Sequence, residues 1–355
     1  MSMLFIPLPI SITLEGHSLK VEWSSKMGGR EVKVISPSDT KAHDRIHHLI
    51  IPMVKGYISH SAMLWCADHN VTLTFLDKDY LPMQTFYPPS SCFPSMKRMQ
   101  ATMTWEDTYP WVFRWIGSKI DAQMQVLKDV QVSVSPMRHA FIQDHKTAIL
   151  NATSEAVTSI TQIRQDLRST PILPKDVLRG LEGQAAKQYF AALSDVPVHW
   201  KPTKGGIPEA WQTIGDRSGM DGTSPRHAKT PFQAMLNYGY GVLARRIHVA
   251  IIGEHIDPDL GFFHEDHNQR HNLVYDVVEP LRPIVDRWAW DHLVQQECKA
   301  KDFHLGYDGP IRLSSYVAET WVPELDERLA IPVKDITKQL GKTLRQRLDR
   351  KEVVS

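Results

Sequence analysis

The segment YPPSSCFPSMKR, Tyr87 to Arg98, divides this chain into two textures. Its three prolines and three serines break any hydrophobic period, so it reads as a linker. Upstream, residues 1–86 are strand-like. ISITLEGHSLKVEW (Ile10–Trp23) alternates polar and apolar residues, GREVKVIS does so again, and VTLTFLD is β-branched and aromatic. Between them SAMLWCADH has the look of a short helix. Downstream, VFRWIGSKIDAQMQVLKDV, DHKTAILNATSEAVTSITQIRQDL and PKDVLRGLEGQAAKQYFAAL carry apolar residues three and four apart, the spacing of helices. Pro174 suits a helix start, and Asp176 in the first turn complements the helix dipole. The class expected is therefore α+β. A β domain occupies residues 1–86, a linker 87–98, and a larger helical domain 99–355. The stretch from Trp200 to Pro231 has no period and reads as a long loop. Residues 332–355 hold seven Lys or Arg against three Asp or Glu, with Ile336, Leu340, Leu344 and Leu348 four apart, giving a basic amphipathic helix.

Composition excludes several classes. With 355 residues, 42% hydrophobic and 23% charged, the chain is globular rather than disordered. No apolar run reaches membrane-spanning length, so no membrane partner is expected. The N-terminus has no basic segment before its apolar residues, which argues against a secretory signal. Cys66, Cys92 and Cys298 lie far apart without a CxxC pair, pointing to a reducing cytoplasm and away from cysteine-bound zinc. Cys66 sits in an apolar run, as a buried small hydrophobe would. A net charge of +1 rules out a basic coat but leaves room for a local DNA-binding face.

Candidate chemistry gathers in two places. Glu182 lies on a helix between Gly180 and Gly183, where small neighbours let another group approach. Arg179 and Lys187 flank it, so an intrahelical ion pair competes with a functional role. In GFFHEDHNQRHNLVYDVVEPLRP (Gly261–Pro283), Asp276 and Glu279 are three apart and would share one face if YDVVEPLRP begins a helix, with His264 upstream. Carboxylates with one imidazole suit magnesium or manganese, which can polarise a phosphate and activate a hydroxyl nucleophile. Structural salt bridges are the plain alternative. His264, His267 and His271 could also bind zinc, although HEDH departs from the HExxH signature.

The segment DPDLGFF followed by HEDHNQRHNLVYDVVEPLRP resembles the signature of the CRISPR-associated integrase family, Cas1, which installs new spacers. LRGLEGQAAKQYF resembles that family's Glu-Gly-x-x-Ala helix. PFQAMLNYGYGVLARRIHVAIIGEHIDP resembles the helix preceding its His loop, and GYISHSAMLWCADHNVTLTFLDKD the end of its β domain. The resemblance spans most of residues 56–283. It implies that Glu182, His264 and Glu279 bind a catalytic Mg2+ or Mn2+, with Asp276 a further ligand or an orienter. It also implies a split-sheet β domain, a helical catalytic domain, a homodimer through the β domains and a Cas2 partner. This sequence departs at Gln269 and His271, where many members carry Gly and Pro, and in its long Trp200–Pro231 loop.

The expected reaction is phosphoryl transfer. A DNA 3′-hydroxyl attacks a phosphodiester of duplex DNA, while Arg179, Lys187, Arg226, Lys229, Arg245, Arg246 and Arg282 hold the backbone. Arg245 and Arg246 adjoin on a helix, so one of them is expected to face solvent. Tyr238 and Tyr240 could stack on DNA ends but suit a core equally. His60 and His69 read as structural or surface residues. A casposase-like transposon integrase would use the same residues; a DNA-binding scaffold without catalysis and a zinc hydrolase are weaker alternatives.

Overall fold

In the computed structural model the alternation of Ile10–Trp23 becomes a hairpin. The structure describes residues 2–6, 9–24, 29–37, 46–52, 56–69, 71–76, 82–86, 92–134, 140–168, 171–217, 227–264, 271–306 and 309–354. Strands β1 (Ser2–Phe5), β2 (Pro9–Glu15), β3 (Ser18–Ser24), β4 (Arg30–Ile35), β5 (Ile46–Pro52) and β6 (Tyr57–Ile58) come first. Helix α1 (His60–Asp68), β7 (Thr72–Leu76) and β8 (Pro82–Phe86) follow. Two four-stranded sheets result, ordered β4-β3-β2-β6 and β1-β5-β7-β8. β2 and β3 pair antiparallel, with Ile12 opposite Val21, around a turn where Gly16 takes a φ of 60° that suits a residue without a Cβ. One face of the hairpin buries Ile12, Leu19 and Val21 with Ile6, Leu49 and Leu73. α1 is capped by the Ser59 hydroxyl, which accepts from the Ala62 N–H, and it turns Ala62, Trp65 and Cys66 into the same core. Burial pushes the Cys66 thiol up to about 12, as expected of an inert small hydrophobe.

Helices α2 (Pro94–Ala101), α3 (Trp105–Val134), α4 (Ala140–Asp166), α5 (Lys175–Leu193) and α6 (Pro231–Gly253) come next. They are followed by α7 (Asn272–Val278), α8 (Arg282–Trp290), strands β9 (Phe303–Leu305) and β10 (Ile311–Leu313), α9 (Ser315–Thr320) and α10 (Val322–Val354). The chain forms two compact units. One comprises Met1–Met99, Val249–Asp257 and Gly341–Ser355; the other comprises Gln100–His248 and Pro258–Leu340.

The helices read from spacing all form. α3 starts on a reciprocal cap, in which Thr104 N–H donates to Asp107 and Asp107 N–H to the Thr104 hydroxyl. Pro174 caps α5. α10 begins ten residues before the predicted Pro332, carries that proline inside the helix, and buries Leu340 and Leu344. The presumed linker differs from expectation. Residues 87–91 lie outside the described set, but Pro94 opens α2, because a first-turn proline loses no helical hydrogen bond. The helical part also holds an antiparallel β9–β10 pair that no alternation announced. In the long loop, Pro197 bridges to Thr213 and Trp200 to Cys298, so its first half is tied down. Among the described residues no helix is long and apolar enough to cross a membrane.

Candidate metal centre

The centre is assembled within the second unit, from α3, α5, the turn at Gly261–His264 and the segment Asp276–Arg282. Sequence reading expected Asp276 and Glu279 on one helix. Instead α7 ends at Val278, Glu279–Leu281 form a 3-10 turn, and α8 restarts at Arg282. Pro280 and Pro283 lack an N–H, which interrupts the α-helical ladder at this point. Both carboxylates are nonetheless buried.

Asp276 is a hub. Its Oδ2 accepts the backbone N–H groups of Phe262 (2.5 Å) and Phe263 (2.9 Å), and its Oδ1 accepts that of His264 (3.0 Å). Oδ1 also lies 2.5 Å from His264 Nδ1. The carboxylate therefore folds the Gly-Phe-Phe-His turn and fixes the imidazole, so that Nε2 points away from Asp276. That nitrogen lies 4.0 Å from Glu279 Oε1. Gly261 is required here, since a Cβ would come 2.7 Å from Asn272. Arg179 braces the same turn from α5 by donating to the Phe263 carbonyl at 2.8 Å.

Glu279 is the second hub. Arg282 reaches its Oε1 at 3.0 Å, and Lys119 donates to its Oε2 at 2.6 Å. The same Lys119 ammonium bonds Glu182 Oε1. Burial works to raise the Glu279 carboxyl, but Arg282 and Lys119 together overcome this and hold it well below the usual range. Burial likewise works to lower the Lys119 ammonium, yet Glu279 and Glu182 outweigh it and leave the group raised and charged. Lys119 is the residue that the sequence reading missed. It lies on the buried stripe of α3 with Val112, Ile116, Ile120 and Gln123. A lone lysine on an apolar face was the available signal.

Behind Arg282 lies a further buried group. The guanidinium sits 5.0 Å from the Tyr240 ring, and the Tyr240 hydroxyl donates to Asp286. Asp286 Oδ2 has no hydrogen-bond partner, and burial raises this carboxyl to about 6. Arg217 also lies over the Tyr240 ring, 5.7 Å from its centroid, and donates to Asn237 at 3.0 Å. Tyr240 is therefore committed to packing.

Glu182, His264, Asp276, Glu279 and Arg282 are thus brought together, with Arg179 at their edge. The remaining candidates are placed otherwise. Lys187 is exposed on α5, Lys229 is half-buried, and Arg226 lies outside the described residues. Arg246 forms a two-pronged pair with Asp326, while Arg245 is half-buried with its Nε unpartnered. Neither of this adjoining pair is turned freely to solvent, because α10 supplies Asp326. His271 points to Asp259 at 2.6 Å and stacks on His248, so its Nδ1 has a carboxylate of its own; His267 lies outside the described residues. Among the described residues no three His, Cys, Asp or Glu side chains stand as a ready-made metal cage. At Glu182 and Glu279 it is the Lys119 ammonium that bonds one oxygen of each carboxylate.

Fold and site together define a bipartite α+β protein: a split-sheet part precedes a helical part that carries a buried cluster of carboxylates, imidazole and cations. The family model described as CRISPR associated protein Cas1 matches residues 25–327, and the chain belongs to that family. A CRISPR-associated endonuclease Cas1 of Archaeoglobus fulgidus is 36% identical over 129 residues, 36% of this chain and 34% of that protein. A second from Rhodospirillum rubrum is 27% identical over 278 residues, 77% of this chain and 73% of its own. The matched stretch thus spans only about a third of the Archaeoglobus relative. Among solved structures, a Cas1 protein from Thermotoga maritima superposes with a TM-score of 0.70 at 15% identity, covering 97% of both chains. A casposase bound to integration product superposes with a TM-score of 0.67 at 20% identity, covering 98% of this chain and 91% of the other. At these identities the likeness is one of fold.

Proposed function

We propose that this chain is a divalent-metal-dependent DNA integrase and endonuclease, which joins a DNA 3′-hydroxyl end into duplex DNA and so adds spacers to a CRISPR array. One observation carries the reading: Asp276 holds His264 by Nδ1 and leaves Nε2 facing Glu279 Oε1 across 4.0 Å. A histidine whose other ring nitrogen is held by a carboxylate is the usual arrangement of a metal ligand. A modest closing of this gap would let Nε2 and Oε1 both ligate a single Mg2+ or Mn2+.

Glu182, His264 and Glu279 would hold the ion, and Asp276, its oxygens occupied by three N–H groups and a ring nitrogen, orients rather than ligates. When bound, the ion supplies Lewis-acid polarisation of a phosphodiester and eases ionisation of the attacking hydroxyl. Transesterification then makes one P–O bond to the incoming 3′-oxygen and breaks one to the target strand, whose new 3′-oxygen takes up a proton. Arg282 places a fixed cation beside Glu279, where charge develops on the phosphate. Lys187, Lys229, Arg226 and Arg245 are candidates to hold the DNA backbone; Arg246 is engaged by Asp326.

Family membership supports a homodimer, and the Cas6-RT-Cas1–Cas2 complex, with a TM-score of 0.68 at 18% identity, supports a Cas2 partner. The casposase likeness favours a second reading, a transposon integrase of the same chemistry. Purified protein with Mn2+ is expected to join a 3′-hydroxyl oligonucleotide into supercoiled plasmid. Glu182→Ala and His264→Ala should each lower joining at least about 100-fold with the melting temperature retained. Full joining by either variant refutes the assignment, and loss of joining by the wild type leaves a DNA-binding scaffold. Sequencing the insertion sites separates repeat-directed from transposon-like integration.

A further inference from the structure

The feature that the proposed reaction leaves unexplained is Lys119. An ammonium on the apolar stripe of a long helix, its side chain 4% exposed, bonds one oxygen of each of two carboxylates from distant segments. A lysine meant only to neutralise Glu279 would duplicate Arg282, which already sits on its other oxygen at 3.0 Å.

We propose that Lys119 is a built-in counter-cation of the centre, bridging Glu182 and Glu279 so that a divalent ion must compete with it for them. This deepens the metal reading above and rests on it. Two like-charged carboxylates converging in a buried place repel unless a cation lies between them. Lys119 supplies that cation from the fold itself, so the ligands are gathered before any metal arrives. Lys119 and Arg282 leave the carboxylates of Glu182, Asp276 and Glu279 with one negative charge in excess; without Lys119 the excess is two. A fixed positive charge within a few ångströms of a divalent ion opposes its binding strongly in a partly buried site. The device therefore weakens metal affinity in return for a site that stays assembled. It makes Lys119 a positioning residue, acting through the ligands.

Calorimetric titration with Mn2+, and melting in EDTA and in saturating Mn2+, test this on the full chain. Lys119→Met is expected to bind Mn2+ at least about 10-fold more tightly than the wild type, because a like charge has gone. It should also melt lower in EDTA, with the gap closing in Mn2+. Lys119→Arg, which keeps the charge, should stay near the wild type on both measures. A lysine of purely structural importance would lower melting in both conditions and leave Mn2+ affinity unchanged or weaker; that result overturns the proposal. Should Lys119→Met not fold, Lys119→Gln is read by the same criterion. A wild type that takes up no Mn2+ overturns the metal reading and this inference with it. Wild-type binding without tightening in the variants overturns the role of Lys119 alone.

Discussion

The two units bury different chemistry. In the first, β2, β3, β5, β7 and α1 close over Ile6, Ile12, Leu19, Val21, Leu49 and Leu73, and buried Glu22 is met by the Ser11 hydroxyl and Arg30. In the second, Lys119, Asp276, Glu279 and Asp286 lie buried beside Leu178, Tyr189 and Trp288. Taking an ion out of water costs several kcal/mol, and apolar residues of like volume commonly do as well or better for stability. A core that nevertheless keeps two carboxylate hubs with matched cations is shaped by something other than stability. The first unit meets its buried Glu22 with a serine and a mostly exposed arginine. The second matches its carboxylates with a lysine that is itself buried, which marks the second as the place to test for chemistry.

The contrast can be broken by cutting each core where it is most committed. Leu19→Ala, in the fully buried β3 position, should cost about 2–5 kcal/mol, read as a lower melting temperature. Mn2+ affinity measured well below that temperature should not change; a parallel loss would mean that the apolar core also sets the metal site. Asp276→Ala removes the acceptor of three N–H groups and the brace of His264 Nδ1. It should weaken Mn2+ binding about 10–100-fold, the usual cost of losing a carboxylate behind a ligating histidine. Unchanged affinity would reduce Asp276 to a fold anchor.

Much of this was legible in the chain. Period-two alternation gave the strand character of β2, β3 and β4, though not the turn at Gly16 that pairs the first two. Three- and four-residue spacing gave α3, α4 and α5, because each buries one continuous face. The parallel pairing of β1, β5 and β7 was not legible, since it depends on partners far along the chain. In the site, Glu182, His264, Asp276 and Glu279 stood out as polar groups beside glycines and apolar residues. Lys119 did not: its meaning comes from Glu182 and Glu279, 63 and 160 residues away. The break between α7 and α8 was written in Pro280 and Pro283, and a reading that made Asp276 and Glu279 one helical face passed over it.

The charged core should also leave its mark on pH dependence. Asp286 is held at about 6 against an ordinary 3.8. Across that window the folded form keeps a proton that the unfolded chain has released, so stability falls as pH rises, by at most about 1.4 kcal/mol per pH unit. Glu279 acts the other way: its carboxyl is depressed, so its contribution is full above the ordinary 4.5 and is lost as pH drops towards about 2. Melting temperature followed from pH 3.5 to 7 should therefore decline between about 4 and 6 in the wild type and flatten in Asp286→Asn. An unchanged slope in that variant would place the descending limb elsewhere.

The smallest expected effect separates two roles on one helix. Arg179 donates to the Phe263 carbonyl behind His264, whereas Lys187 stands exposed eight residues further along α5. Arg179→Ala removes the hydrogen bond to Phe263, the contact over that ring and an exposed pair with Asp176, about 1–2 kcal/mol together, and should loosen the turn enough to weaken Mn2+ affinity slightly. If Lys187 meets a DNA phosphate, Lys187→Ala should leave Mn2+ affinity alone and reduce the slope of log binding constant against log salt by about one. Arg179 is already engaged by the turn, so its removal should leave that slope nearly intact. The reverse pattern would assign DNA holding to Arg179 and demote its contact with Phe263 to packing.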